Sequence, residues 1–112
     1  MSVKLEARSK YGARPVTVDG IRFASGREAR RYAELKLLER VGQIWDLTLQ
    51  AEFALHVRAS QAAYRIGVYR ADFVYRTPEG TVVEDAKGVR TALYRWKKKH
   101  VELEYGVRIV EV

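Results

Sequence analysis

The chain has no cysteine. Disulfides, thiolate zinc sites and cysteine nucleophiles are thereby excluded, and any metal ion must be held by oxygen or imidazole. Histidine is scarce: His56 and His100 are the only two, and their spacing makes neither a metal pair nor a zinc-protease motif. No Gly-rich phosphate loop of the Walker type is present, so no nucleotide cofactor is expected. No apolar run approaches the roughly 20 residues that cross a bilayer, so no membrane partner is expected. The start, "MSVKLEARSKYGARP", has no apolar core of a secretion signal, which leads us to expect a cytoplasmic protein. Repeats and linkers are missing as well, and 112 residues suit a single domain.

Acids are outnumbered. Fourteen Asp and Glu stand against 21 Lys and Arg, a formal charge of +7. Such a surplus favours a polyanionic partner, nucleic acid first, although a small soluble protein can be basic without one.

The rest of the composition is globular, and periodicity divides it into elements. Residues 1–15 lack a clear period and carry Lys4, Arg8, Lys10 and Arg14, which reads as a loosely packed basic arm. Residues 16–24 alternate around Asp19-Gly20, a pair suited to a two-residue hairpin turn. Ser25 followed by Glu28 opens a helix as a capping box, and Gly42 ends it. A strand over 43–56, a polar loop "RASQAA", and two strands joined across "TPEG" follow, the last pair as an antiparallel hairpin. A second helix places Leu93, Trp96, His100 and Leu103 on one stripe and stops at Gly106, before the final strand "VRIVEV". After the arm and hairpin the order is α, β, β, β, α, β, which predicts an α/β fold with a mixed central sheet covered by helices. Trp45 and Trp96 lie within apolar patterns and read as core.

Charges on the third of those strands demand a reason. In "VVEDAKG" alternation puts Asp85 and Lys87 on one face with Val83, and Glu84 on the other. On the preceding strand Arg70, Asp72 and Val74 share a face. If the two strands pair around "TPEG", Asp72 and Asp85 come to a common Mg²⁺, a hard ion that prefers oxygen, and Lys87 points to the same place. A lysine there can manage a water and stabilise charge on a phosphate under attack. The alternative is structural: Asp85 and Lys87 as a surface pair of little worth, with Asp72 solvated.

Around this centre, Tyr94, Lys97 and Lys98 fall at i, i+3, i+4 on the second helix, after Thr91. They read as a face for the backbone of a DNA strand or as solvated charge. Arg27, Arg30 and Arg31 on the first helix carry the same two readings. Gln50 is a candidate for orienting water or phosphate, or an ordinary hydrogen-bonded strand glutamine.

Asp72, then Asp85-Ala86-Lys87 thirteen residues on, between a Glu-bearing helix and a second helix, resembles the PD-(D/E)XK nuclease superfamily over residues 25–112. Ala71 stands where that motif has proline. "FASGREARRY", "YRADFVY" and "VVEDAKGVRTALYRWKKK" are similar to a family of small phage proteins described as nuclease-like. Among characterised members, size and layout resemble the archaeal-type Holliday-junction resolvases.

The resemblance implies a restriction-endonuclease-like αβββαβ core and a metal-dependent, structure-selective DNA endonuclease acting through metal-activated water. It implies Mg²⁺, with Mn²⁺ as a substitute, held by Asp72, Asp85, the Ala86 carbonyl and Glu28, with Lys87 at the water. A homodimer making paired nicks in a four-way junction, in the host cytoplasm if phage-encoded, completes the expectation. For Glu28 the capping box is the competing role. Two other functions remain open: a nicking or restriction-like endonuclease on duplex or flap DNA, and a non-catalytic nucleic-acid-binding module.

Overall fold

The computed structural model describes residues 3–5 and 14–112. The chain divides into two compact units, Met1–Gln43 and Ile44–Val112.

In the first unit, β1 (Val3–Leu5), β2 (Val16–Val18) and β3 (Ile21–Phe23) form an antiparallel three-stranded sheet in that order. The turn between β2 and β3 is Asp19-Gly20, with φ of 53° and 77°. Two consecutive positive φ values match strand twist in a two-residue hairpin, which is why a glycine and an aspartate stand there. The arm expected over 1–15 is corrected at Val3–Leu5, which pair with Val16–Val18; apolar Val3 and Leu5 flanking Lys4 give the alternation of a short strand, too short to stand out in sequence. Arg8 and Lys10 lie outside the described residues.

Helix α1 (Gly26–Arg40) packs on β2 and β3. Phe23 and Tyr32 lie with ring centroids 4.9 Å apart, and the Tyr32 hydroxyl donates to Asp19 at 3.3 Å. Ser25 caps α1 by accepting the Glu28 N–H at 3.2 Å, and Gly42 (φ 81°) follows its end, as expected.

The second unit is a four-stranded sheet in the order β4 (Trp45–Ala59), β5 (Ala62–Thr77), β6 (Gly80–Asp85), β7 (Ile109–Glu111). β4, β5 and β6 are antiparallel neighbours, and β7 joins β6 in parallel after the crossover helix α2 (Ala92–Tyr105). A mixed α/β architecture is therefore observed, with the "TPEG" hairpin in place. Thr91 caps α2 and Gly106 (φ 65°) terminates it. Leu55, Tyr69, Ala71, Val83, Val101 and Ile109 form the core, with Phe53, Val74, Tyr94 and Val107 packed against it. Among the described residues, no helix is long and apolar enough to cross a membrane.

Three expectations change in this unit. "RASQAA" is no loop: β4 runs to Ala59 and β5 starts at Ala62, joined by Ser60-Gln61. Ser60 takes φ 57°, the positive value that a tight turn uses, without the Gly or Asn signal that marks such turns. Of the stripe Leu93, Trp96, His100 and Leu103, the apolar members are 61%, 54% and 76% exposed, while His100, half-buried, bonds the His56 carbonyl of β4 at 2.9 Å. α2 instead turns Val101 inward and packs Tyr94 on the core. Both faces of the helix carry apolar groups, and the aromatic cluster of Tyr105 and Tyr94 on Phe53 and Tyr69 selects the second. Trp45 and Trp96 are exposed rather than core; Trp45 occupies the outer strand and Trp96 stacks near His100 at 5.5 Å.

Candidate active site

β5 and β6 pair from Thr77↔Gly80 to Phe73↔Glu84, and there the ladder stops. The next two residues, Asp72 and Asp85, replace backbone pairing with side-chain bonds. The Asp72 N–H donates to Asp85 Oδ1 at 3.0 Å, and the Ala86 N–H donates to Asp72 Oδ2 at 2.8 Å. Two N–H groups beyond the end of the β5–β6 ladder are thus satisfied by carboxylates, and the acids are drawn together.

Asp85 is fully buried. Its Oδ1 has the Asp72 N–H, but Oδ2 is buried with no hydrogen-bond partner. Burial pushes the Asp85 carboxyl up, opposed by Lys87 and the Asp72 N–H. An anionic oxygen buried without a donor is costly unless a cation meets it. The other Asp72 oxygen, Oδ1, accepts from Gln50 Nε2 at 3.3 Å. Gln50 adopts φ 54°, rare for a residue with a Cβ, and such strain costs about 1–3 kcal/mol. Gln50 is therefore brought beside Asp72, a placement that both of its readings share.

The strand face expected for Asp85 and Lys87 is corrected: β6 ends at Asp85, and Lys87 lies beyond it with its Nζ 4.5 Å from the Tyr94 ring centroid. Tyr94 donates its hydroxyl to Glu111 at 2.7 Å. Burial first, then that bond and nearby Asp85, raise its phenol far above the ordinary value. Glu111 pairs in register with Asp85 through the parallel β6–β7 ladder. It also accepts from Arg90 at 2.8 Å, and Lys98 Nζ lies 3.6 Å away. These bonds, led by Arg90 and Tyr94, hold the Glu111 carboxyl at about 2.

A cleft of about 410 Å³ adjoins this centre between β5 and α2. Arg70, Lys87 and Lys97 supply cations, Thr91 and Tyr94 hydroxyls, and among the described residues no carboxylate lines it. Its chemistry suits a phosphate group.

The expected residues divide accordingly. Asp72, Asp85, Ala86, Lys87 and Gln50 come together, with Tyr94, Thr91 and Lys97 beside them. The Thr91 oxygen accepts the Tyr94 N–H at 3.1 Å as a helix cap, and Lys98 turns to Glu111 rather than forming a continuous face with Lys97. Glu84 points away from this cluster and accepts from the Tyr75 hydroxyl, both buried. Glu28 belongs to the first unit, where its carboxylate accepts the Ala24 N–H at 3.3 Å, one residue before the N-cap Ser25. On the same helix Arg31 pairs with Glu34 at 2.8 Å, while Arg27 and Arg30 are exposed.

Arg70 and Glu111 were not selected from sequence. Arg70 carries a signal, since it stands two residues before Asp72 on one strand face. Glu111 carries none, because its place beside Asp85 depends on the register of a parallel crossover.

Among the described residues, no three Asp, Glu or His side chains converge as a metal-ligand group. Two carboxylates with one unpartnered buried oxygen still suit Mg²⁺, which binds through one or two carboxylates and keeps waters and substrate phosphate as its other ligands.

A family model described as "Protein of unknown function (DUF1064)" matches residues 8–110, and the chain belongs to that family. No curated protein and no solved structure matches.

Proposed function

We propose that this member of the DUF1064 family is a Mg²⁺-dependent, structure-selective DNA endonuclease that resolves four-way junctions. The observation that carries the chemistry is Asp85 Oδ2, buried and unpartnered beside Asp72, with Lys87 two residues along the chain. The element order α1, β4, β5, β6, α2, β7 supports the nuclease reading, as does the resemblance of its motifs.

Asp85 and Asp72, with the Ala86 carbonyl, would hold the ion. The bound ion would supply Lewis-acid stabilisation of the phosphate and a water of lowered pKa. Lys87 positions the attacking water and offsets negative charge growing on the phosphoryl oxygens. Water forms the new bond to phosphorus as the in-line bond to the alkoxide oxygen breaks, with inversion at phosphorus, and solvent takes the water's proton and returns one to the leaving alkoxide. Arg70 and Lys97 hold a phosphate in the neighbouring cleft and fix the strand's direction. The resemblance further assigns Glu28 to the acidic set. Paired nicks require two such sites, so a homodimer is part of this proposal.

The test is a synthetic four-way junction incubated with protein and Mg²⁺ or Mn²⁺ beside a linear duplex of the same sequence. Paired nicks confined to the junction are expected. Equal cutting of linear or flap DNA instead would select the nicking or restriction-like reading. Binding without cleavage in either metal would leave only a non-catalytic DNA-binding module.

A further inference from the structure

β4 and β5 continue well past the core. Their ladder runs from His56↔Arg65 through Val57↔Tyr64 and Arg58↔Ala63 to Ala59↔Ala62, closed by Ser60-Gln61. Every residue from Val57 to Ile66 is exposed. α2 reaches this hairpin at its base, where Glu104 accepts both the His56 N–H and a bond from the His56 ring, each at 2.7 Å. Beyond that clamp the ribbon extends into water, where a two-stranded hairpin gains little stability of its own.

Its two faces differ. His56, Arg58, Ala63 and Arg65 share one, and Val57, Ala59, Ala62 and Tyr64 the other. The His56 ring meets α2, so Arg58 and Arg65 lie on the α2 side of the sheet, as does the basic cleft. Arg58 and Arg65 are diagonal neighbours on adjacent strands, a backbone separation of about 7–8 Å. Between Glu52 and Asp72 the sequence contains no acid, yet it holds Arg58, Arg65 and Arg70. Arg70, nearer the core, pairs with Glu52 at 3.1 Å, whereas the ribbon itself brings no carboxylate to Arg58 or Arg65. Two guanidinium groups on a narrow ribbon match a duplex, whose major groove admits such a ribbon and whose phosphates take arginine forks.

We propose that residues 56–65 form an arm that lies against duplex DNA flanking the cut site, with Arg58 and Arg65 each engaging a backbone phosphate. This rests on DNA being the substrate; it does not depend on the catalytic role of the acids.

The experiment measures the affinity of the full chain for a duplex-armed DNA across a salt series, in Ca²⁺ to prevent cutting. It compares wild type with Arg58→Ala/Arg65→Ala, together with oligomeric state by light scattering and cleavage at saturating DNA. Removing two arginine–phosphate bonds should lower the magnitude of the slope of log K against log salt by about 2. Maximal cleavage rate should stay unchanged, and single-stranded DNA should be affected less than duplex. Both positions are exposed, so circular dichroism should match wild type.

An unaltered slope with wild-type DNA binding intact overturns the arm and leaves the endonuclease reading standing. A reduced slope in a protein that never cleaves supports the arm and removes the endonuclease. If Tyr64→Ser dissociates an oligomer while the arginine variant binds normally, the ribbon joins copies of the chain and the arm is overturned. No binding to DNA at all overturns both.

Discussion

Asp72 and Asp85 close the end of the β5–β6 ladder: the backbone N–H of Asp72 donates to the Asp85 carboxylate at 3.0 Å, and the Asp72 carboxylate takes the N–H immediately after Asp85 at 2.8 Å. The same bonds that close the sheet also bring two acids to one place, with one buried oxygen left over. Structure and proposed chemistry therefore make opposite demands on Asp85, and substitutions separate them.

Asp85→Asn should abolish metal-dependent cleavage and retain DNA binding. Without metal its melting temperature should equal or exceed that of wild type, because the amide carries no buried charge. Mg²⁺ at about 100 times its dissociation constant should stabilise wild type by about 2.7 kcal/mol and the variant hardly at all. Calorimetry with and without Mg²⁺ reads both effects. Equal stabilisation of the two proteins would remove Asp85 from the metal site.

Glu28 has a cap that is directly observed and a catalytic assignment that comes from resemblance. Glutamine keeps an acceptor for the Ala24 N–H at the start of the helix, whereas alanine removes that bond and should cost about 1 kcal/mol in urea unfolding. Cleavage lost in Glu28→Gln at wild-type stability would establish the acidic role. Full activity in that variant would restrict Glu28 to the helix end.

On α2, Val101 is fully buried and Leu103 is 76% exposed. Val101→Ala should destabilise by about 1–3 kcal/mol through lost burial and the cavity left behind. Leu103→Ala should stay within about 0.5 kcal/mol. Chemical denaturation midpoints distinguish the faces, and a reversed order would mean that the helix is rotated.

The Glu111 carboxyl sits at about 2 when folded, below its ordinary 4.5. Its ionised form therefore contributes stability in full above about pH 4.5, and that contribution is lost as pH falls through about 2. Asp85 has the opposite sign: burial raises its value, so protonation on acidification favours the folded state. Glu111→Gln should accordingly flatten the loss of stability below pH 4.5, measured in metal-free buffer. Glu111 is partly open to solvent, so about 1 M salt should shrink the difference. A wild-type acid limb in the variant would refute the linkage.

Local signals carried much of this protein. Ser25, Glu28 and Gly42 bracket α1 because a helix end needs donors, acceptors and a left-handed exit within a few residues. Asp19-Gly20 identifies its hairpin for the same kind of reason. Where the local signal is missing or ambiguous, the pattern misleads: Ser60-Gln61 turns without glycine, and Leu93, Trp96 and Leu103 form a stripe that the sheet does not cover. Trp45 and Trp96 share that lesson, since apolar character alone does not say which neighbour arrives.

The sequence by itself determined the element order from Val16 onward and the helix caps, because each depends on residues adjacent in the chain. Tertiary structure alone decided that the β5–β6 ladder ends at Phe73↔Glu84, that Glu111 stands beside Asp85, and that Val101 rather than Leu103 turns inward. Those outcomes depend on strand register and on competition between faces for the core, which long-range packing settles and local periodicity leaves open.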